Sequence, residues 1–503
     1  VDRSFDSLAT LVEGAVALDT WDIPAAEEMI DRYASGKTSP SVLALLRSRL
    51  AFYRQEYDEA ARLIGESGSA AAAIPGMSDM ATIILDSASL LPKLEKVSSE
   101  HFEIAFDPRD KVLSLYALET LEASREKLGA LFSLFPERRI RVEVLPDADS
   151  FRRVSSLTKR DIEVSGAIGI CKFNKIMILS PRVLLRGYPW LDTLAHEYIH
   201  YLVVRASKNR APIWLHEGLA FTWQNRWRTE EPAFPSALDA SLLARALSRG
   251  KLYTLEEMDP SLIRLPTAEA VALGFAQVGS LIDHFTRVYG PGVIPRLLTA
   301  YKEGENLRGA ITRATGVPYD KAMEGWMQAL RGAGYREIPG LLPPVFLLAE
   351  GSEKPPLTED EVAVASARQR ARLGLRLEGI DRPEAAYLEY RRAIVDDPTS
   401  PLLLARIAAT ALATGRVKEA AQAASRGLLT YPDYLPLLSA SGRIAVKEGR
   451  VGDAKDAFEK AVAVNPFDPE PHQALATLYR AAGNGTLAAR EEKALDYLGY
   501  QKR

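Results

Sequence analysis

Two histidines and two glutamates lie close together in residues 191–220, LDTLAHEYIHYLVVRASKNRAPIWLHEGLA. His196, Glu197 and His200 read H-E-x-x-H, and Glu217 follows inside Trp-Leu-His-Glu-Gly. Residues four apart share one face of a helix, so the two imidazoles can bind one ion. Glu197, beside the first of them, is placed to take a proton from water activated by that ion. The expectation is Zn2+ chemistry on a peptide or protein substrate. Only six histidines occur in the chain, three of them His196, His200 and His216. With histidine this sparse, a chance H-E-x-x-H should turn up on the order of once in a hundred such chains.

A third ligand is needed, and the sequence offers two. The form with a third histidine on the same strand of sequence would need glycine where Val203 stands and histidine where Ala206 stands, so it is excluded. A carboxylate on the next helix is the other solution, and Glu217 fits it. Residues 208–212 (KNRAP) supply the intervening turn. His216 competes for the same role, but neighbours on a helix point about 100° apart, so only one of the two can face the ion.

The elements that must position these groups read as mixed α/β. Alternating or apolar runs at 101–106, 140–145, 166–171 and 175–180 predict strands, the last two about a turn at Phe173 and Asn174. Residues 109–134 carry a long helical stripe, and a short helix is expected near 150–156. The helix over 189–206 carries Leu191, Leu194, Ile199, Leu202 and Val203 on its other faces, which makes it a core helix. Trp190 and Trp214 are expected in the core rather than in the cleft.

HEYIH followed by P-x-W-L-x-E-G-L-A at 212–220 resembles the peptidase MA-like, or gluzincin, superfamily, which includes thermolysin-like zincins and gluzincin aminopeptidases. The runs HFEIAF, IRVEVL and GAIGICK are similar to the strands leading into the helix in bacterial domains of this kind. The resemblance covers about half the chain. It implies an α+β zincin-like fold, zinc on His196, His200 and Glu217, and Glu197 as general base. The matching upstream edge strand is 175–180, KIMILS, which lacks the carboxylate that holds a free amine in the aminopeptidases. An endopeptidase is therefore expected, with Lys175, Ile176, Met177 and Ile178 pairing an extended substrate. Where those enzymes carry an oxyanion-steadying tyrosine, this chain has Phe275, which cannot donate. His216, His284, Tyr289 and Tyr253 are the substitutes on offer. Losing such a donor costs on the order of 10²–10³ in rate, so a catalytically weak scaffold is the alternative reading.

Both ends of the chain are helical. Gly374, Ala408, Gly442 and Ala476 recur every 34 residues, with Ala386, Ala420, Ala454 and Ala488 twelve residues behind each. Pro398, Pro432 and Pro466 close successive units, and Gly415, Gly449 and Gly483 mark inner turns. This resembles a tetratricopeptide array, with a concave face that implies a protein partner. A fainter copy, Gly14 with Ala26 and Ser48 with Ala60, lies among helices expected at 5–18, 24–34, 41–53 and 57–65. The expected organisation is a helical region over 1–95, the peptidase-like domain over 98–340, a proline-rich linker over 341–365 and the array over 366–503.

At 503 residues, about three domains are expected. A net charge of −3 and a pI near 6.2 leave no basic footprint for nucleic acid. Cys171 is the only cysteine, so any metal must be held by nitrogen and oxygen. No run reaches the roughly 18 apolar residues of a membrane span. The opening VDRSFDSLAT suggests a mature or trimmed form, periplasmic or cytoplasmic, and the compartment is left open.

Overall fold

The computed structural model describes residues 12–35, 39–68, 70–74, 76–158, 167–230, 234–259, 261–349 and 358–500. The start of the first expected helix and much of the expected linker lie outside them.

At the centre is a five-stranded sheet: β1 (Glu95–Ser98), β2 (Phe102–Phe106), β3 (Ile140–Leu145), β4 (Gly169–Lys172) and β5 (Lys175–Leu179). Their order across the sheet is β1-β2-β3-β5-β4. The inner pairs β2/β3 and β3/β5 are parallel, and the outer pairs are antiparallel. Every residue of β3 and β5 is buried, as expected of parallel strands covered on both faces. β1, exposed at three of its four residues, was not legible in the sequence.

This order overturns one expectation. Residues Lys175, Ile176, Met177 and Ile178 cannot pair an incoming peptide, because β5 is hydrogen-bonded on both sides, to β3 and to β4. The edge belongs to β4. Strand order is a non-local property, and two adjacent apolar runs joined by a tight turn do not say which of them ends the sheet.

The polar residues within those strands face the N-terminal helices. Lys175 and Glu143 have no exposed surface, and the Lys175 ammonium donates to Glu143 Oε2 at 2.8 Å and to the Tyr57 hydroxyl at 3.0 Å. Tyr57 opens the helix Tyr57–Glu66, which packs against Pro40–Tyr53. Within that hairpin the Ser48 hydroxyl donates to the Ala60 carbonyl at 2.7 Å, so the repeat-like small pair is in direct contact. The β4–β5 turn is clamped by the same helices. Phe173 and Asn174 have φ of 57° and 59°, the conformation of a two-residue type I′ hairpin. Phe173 is a poor residue for positive φ, but its ring is buried against Phe52 at 5.2 Å between centroids, which offsets the strain.

The other face of the sheet is covered by α1 (Ala117–Phe132) and α2 (Trp190–Ser207). The expected continuous stripe at 109–134 is instead a 3-10 stretch, Pro108–Leu115, followed by α1. α2 buries twelve of its residues, including Trp190, Leu194, Tyr198 and Leu202. Lys208 and Asn209 turn left-handed after it, and the Lys208 N–H returns to the Val204 carbonyl, closing the helix. α3 (Ile213–Trp223) starts just after Pro212 and crosses α4 (Ala268–Tyr289). At that crossing Gly218 has no room for a side chain: a Cβ would meet Ile282 Cγ1 at 2.9 Å and the Val278 carbonyl at 3.2 Å.

Beyond residue 365 four helical hairpins stack side by side. Pro401, Leu435 and Pro469 open successive hairpins 34 residues apart, and Gly415, Gly449 and Gly483 make the inner turns at φ of 80°, 73° and 74°. In the first hairpin Asp381 takes that position, at φ 56°. Helix Val451–Val464 lies against α2, where the Trp190 indole donates to the Val462 carbonyl at 3.2 Å. The last hairpin touches the 3-10 stretch through a fully buried cluster: His472 Nδ1 is 2.7 Å from Glu491 Oε2, and the Tyr116 hydroxyl donates to the same oxygen at 2.8 Å. Among the described residues no helix is long and apolar enough to cross a membrane.

Candidate metal centre

α2 and α3 bring three groups to one point. Glu217 Oε2 lies 3.6 Å from His196 Nε2 and 3.7 Å from His200 Nε2. Tetrahedral bonds of about 2.0–2.2 Å would set neighbouring donor atoms roughly 3.3–3.6 Å apart, so this spacing fits a small divalent ion. The imidazole rings are 4.8 Å apart and nearly perpendicular. The reason is local: i and i+4 side chains stand one above the other on α2, and α3 reaches them because Gly218 lets it sit close to α4.

Glu197 is a rival for the carboxylate position, since its oxygen and the two imidazole nitrogens all lie within 4.8 Å of one another. Its surroundings argue for another role. Only 4% of Glu197 is exposed; the Cys171 backbone amide of β4 bonds one carboxyl oxygen, and Oε2 is buried without a partner. Glu217 Oε2 lies within 3.7 Å of both imidazole Nε2 atoms, the position that a third donor would take.

The charges are unbalanced in a way a cation would correct. Burial pushes the Glu197 carboxyl up to about 8; Glu217 adds to this and His196 opposes it. Burial also drives the His200 imidazole well down, helped by the neighbouring His196 and His216, which leaves it neutral, as a metal ligand must be. For His196 burial acts downward, but contact with Glu217 and the charge of Glu197 outweigh it and the net shift is upward. Two carboxylates and two imidazoles, Glu197 buried with one oxygen orphaned and the other three partly buried, fit a divalent ion.

Two contributors were missed in the sequence. Gln224, just past α3, places Oε1 3.3 Å from His196 Nδ1, a contact that orients the ring and leaves Nε2 toward Glu217. A glutamine has no distinctive spacing to reveal this. Gly169 on β4 is the second: a Cβ there would overlap Glu197 Oε1 and come within 2.9 Å of its Cδ.

The groups open onto a cleft of about 1130 Å³, lined on one side by residues 167–173 and on the other by His216, Phe221 and Phe275. His216 is 8% exposed, its ring 5.6 Å from that of His200, and burial lowers its pKa to about 4. His284 and Tyr289 do not line this cleft. They pack on each other and on Phe285 along α4, so neither serves as an oxyanion donor there. Tyr253 packs on Phe275 behind the wall, and its backbone is clasped by Gln277. Trp190 and Trp214 are both in the core, at 0% and 1% exposure.

No family model matches the chain. It is 26% identical over 136 residues to DnaJ homolog subfamily C member 3 of Rattus norvegicus, a stretch that is 27% of this chain and only 27% of that relative. Solved structures that it resembles include a thermophilic tetratricopeptide protein of Thermus thermophilus (24% identity, 26% of this chain and 74% of that one, TM-score 0.24). PilW, a type IV pilus biogenesis factor, is another (18% identity, 53% of this chain and 95% of that one, TM-score 0.25). Scores this low carry no argument, and the 34-residue recurrence of the hairpins stands without them. The chain contains tetratricopeptide-like helical repeats joined to a small mixed sheet.

Proposed function

We propose that the chain is a zinc-dependent peptidase of the gluzincin kind, with an endopeptidase's open cleft. The observation that carries this reading is the approach of Glu217 Oε2 to both imidazole Nε2 atoms, beside the orphaned buried oxygen of Glu197. His196, His200 and Glu217 would hold the ion. Bound there, zinc supplies Lewis acidity, which acidifies water toward neutrality and polarises a carbonyl.

The chain's own residues do the rest. Gln224 fixes the tautomer of His196. Glu197 Oε2 accepts the proton of the attacking water and returns it to the leaving amine, while the Cys171 amide holds the other carboxyl oxygen in place. β4 is the edge strand on the cleft side, where an extended peptide could pair beside the Cys171 amide that faces Glu197, with little demand on its sequence. The neutral His216 is the polar side chain in the cleft wall that can steady developing charge. The tetratricopeptide-like repeats recruit a protein partner or substrate, through the concave face that such arrays form.

Phe275 supports a second reading, a scaffold that binds the ion but turns over poorly, because it fills the wall where a phenol would be useful. One comparison separates the two. Purified protein is assayed for metal content and for cleavage of a denatured generic protein, as wild type, as Glu197→Gln and after chelation. The peptidase reading expects about one zinc per chain and cleavage falling at least 10²-fold in both treated samples. Zinc retained with no cleavage across several substrates leaves the scaffold; no zinc at all removes the peptidase and leaves a helical repeat scaffold without the ion.

A further inference from the structure

A second cavity, of about 580 Å³, opens on the far side of Gln224 from the metal centre. Phe221, Gln224, Leu238, Pro343 and Phe346 line both spaces, so the cleft and the cavity are neighbours across a shared wall. Part of that wall is the segment 343–346. It is tied down at either end, where the Tyr431 hydroxyl donates to the Leu342 carbonyl at 3.0 Å and the Leu185 amide donates to the Leu347 carbonyl at 2.9 Å. The far side of the cavity is built by turns of the repeat array, through Asp397, Thr399, Tyr431 and Asp433.

Two buried oxygens in this cavity have no hydrogen-bond partner: Asp397 Oδ2 from the array and Asn225 Oδ1 from the turn after α3. Both residues are 7% exposed. An unsatisfied buried acceptor is costly, and a carboxylate oxygen more so, unless a donor arrives. The Asp397 carboxyl already faces the backbone amides of Val364 and Ala363, yet burial still raises its pKa, so a further donor at its unpartnered oxygen and at that of Asn225 would be favourable. Two of the three cations that line the cavity are already engaged: Arg228 Nε donates to Asp192 at 2.9 Å, and Arg186 donates twice to Glu361 Oε1, at 3.0 and 2.6 Å; the third, Lys460, acts on Asp433 by charge. Asp433 stands on the exposed rim; burial of its carboxyl and the charge of Asp192 push it up to about 6, against the charges of Arg228 and Lys460. In all, the cavity is lined by Asp192, Asp239, Glu361, Asp397 and Asp433 against Arg186, Arg228 and Lys460, an acidic excess.

We propose that this cavity is a subsite for a basic side chain, arginine above all, carried by an extended polypeptide whose backbone lies along β4 in the adjoining cleft. Resting on the peptidase reading, it names the substrate class. A guanidinium presents five donors in a plane and can serve acceptors on two walls, where an ammonium is a point charge with three. The rings of Phe221 and Phe346 offer it apolar faces on which to stack. The array thus contributes specificity through its turns, Asp397 and Asp433 acting as specificity residues rather than catalytic ones.

The test uses zinc-loaded Glu197→Gln protein, which stops turnover, and labelled peptides of Ala, Gly and Leu with one arginine moved along the chain. Each is paired with its citrulline analogue, a neutral guanidinium look-alike, and binding is read by fluorescence anisotropy. At one or two positions arginine should bind about tenfold more tightly than citrulline, the size of one charge-assisted hydrogen bond. Asp397→Asn and Asp433→Asn should each shrink that ratio; Asp433 is on the rim, so its substitution reads even if the buried one unfolds. Equal binding of arginine and citrulline at every position, or a ratio untouched by both substitutions, overturns the proposal. Arginine preference in a protein whose wild type never cleaves leaves the cavity standing and removes the peptidase, whereas cleavage without arginine preference does the reverse.

Discussion

Gly169 controls how near the sheet edge comes to Glu197, and its effect should be separable from metal binding. Gly169→Ala forces the Glu197 carboxyl away from its bond with Cys171, because the added methyl overlaps the carboxylate. If the proposed peptidase reading holds, cleavage should drop by about 10²-fold, the contribution of a general base, while zinc content measured on the same sample stays near one. Gln224→Leu should do the opposite: it frees the His196 ring and weakens zinc affinity about 10–100-fold in a competition titration with a chelator. At position 275 the expectation is a gain. Phe275→Tyr puts a donor into the cleft wall and should raise kcat by about tenfold or more without changing zinc affinity. These three outcomes distinguish the base, the ligand shell and the missing donor.

At the scale of elements, the centre depends on the α3–α4 crossing. The spacing H-E-x-x-H is legible because it needs only one helix and the i, i+4 rule. Helix geometry alone left Glu217 and His216 open and the resemblance favoured Glu217; that its carboxyl lies beside both imidazoles depends on the packing of α3, which is tight at Gly218. Gly218→Ala places a methyl against Ile282 and the Val278 carbonyl; backbone cannot yield as a side-chain tip can. Overpacking of this kind costs about 1–3 kcal/mol. The thermal midpoint should fall, and zinc affinity with it, because α3 carries Glu217. Strand order was the illegible part: β4 and β5 are both short apolar runs, and only their hydrogen bonds to β3 decide which one is free.

For the whole molecule, the repeat array is bound to the sheet-bearing part through buried polar contacts as well as apolar packing. Glu491 receives the Tyr116 hydroxyl and faces His472, and neither Glu491 nor His472 has exposed surface. Burial alone would raise its pKa, but the bonds from His472 and Tyr116 and the charge of Arg490 prevail and the net shift is downward. A carboxylate held below its ordinary value stabilises the fold fully above the unfolded pKa, and that contribution is lost as pH falls through the lowered folded value. Glu491→Gln should therefore cost stability at neutral pH, about 3 kcal/mol for one partner of a buried pair. In urea titrations the gap between wild type and variant should narrow steadily below about pH 4.5. A gap independent of pH would mean that packing, not charge, holds the two parts together at this point.

By itself the sequence determined what repeats and what lies within one or two turns of helix: the 34-residue hairpins, the pair His196 and His200, and Glu197 beside them. Periodicity and i, i+4 geometry are local, so they survive without knowledge of the fold. Tertiary structure alone decided which strand is the edge, that Gly169 and Gln224 belong to the centre, and that His284 and Tyr289 do not. It also decided that turns of the array close a cavity beside the cleft, where Asp397 and Asn225 lie 172 residues apart in the chain yet line one space. Contacts between distant residues are set by how layers pack, and no short-range pattern encodes them.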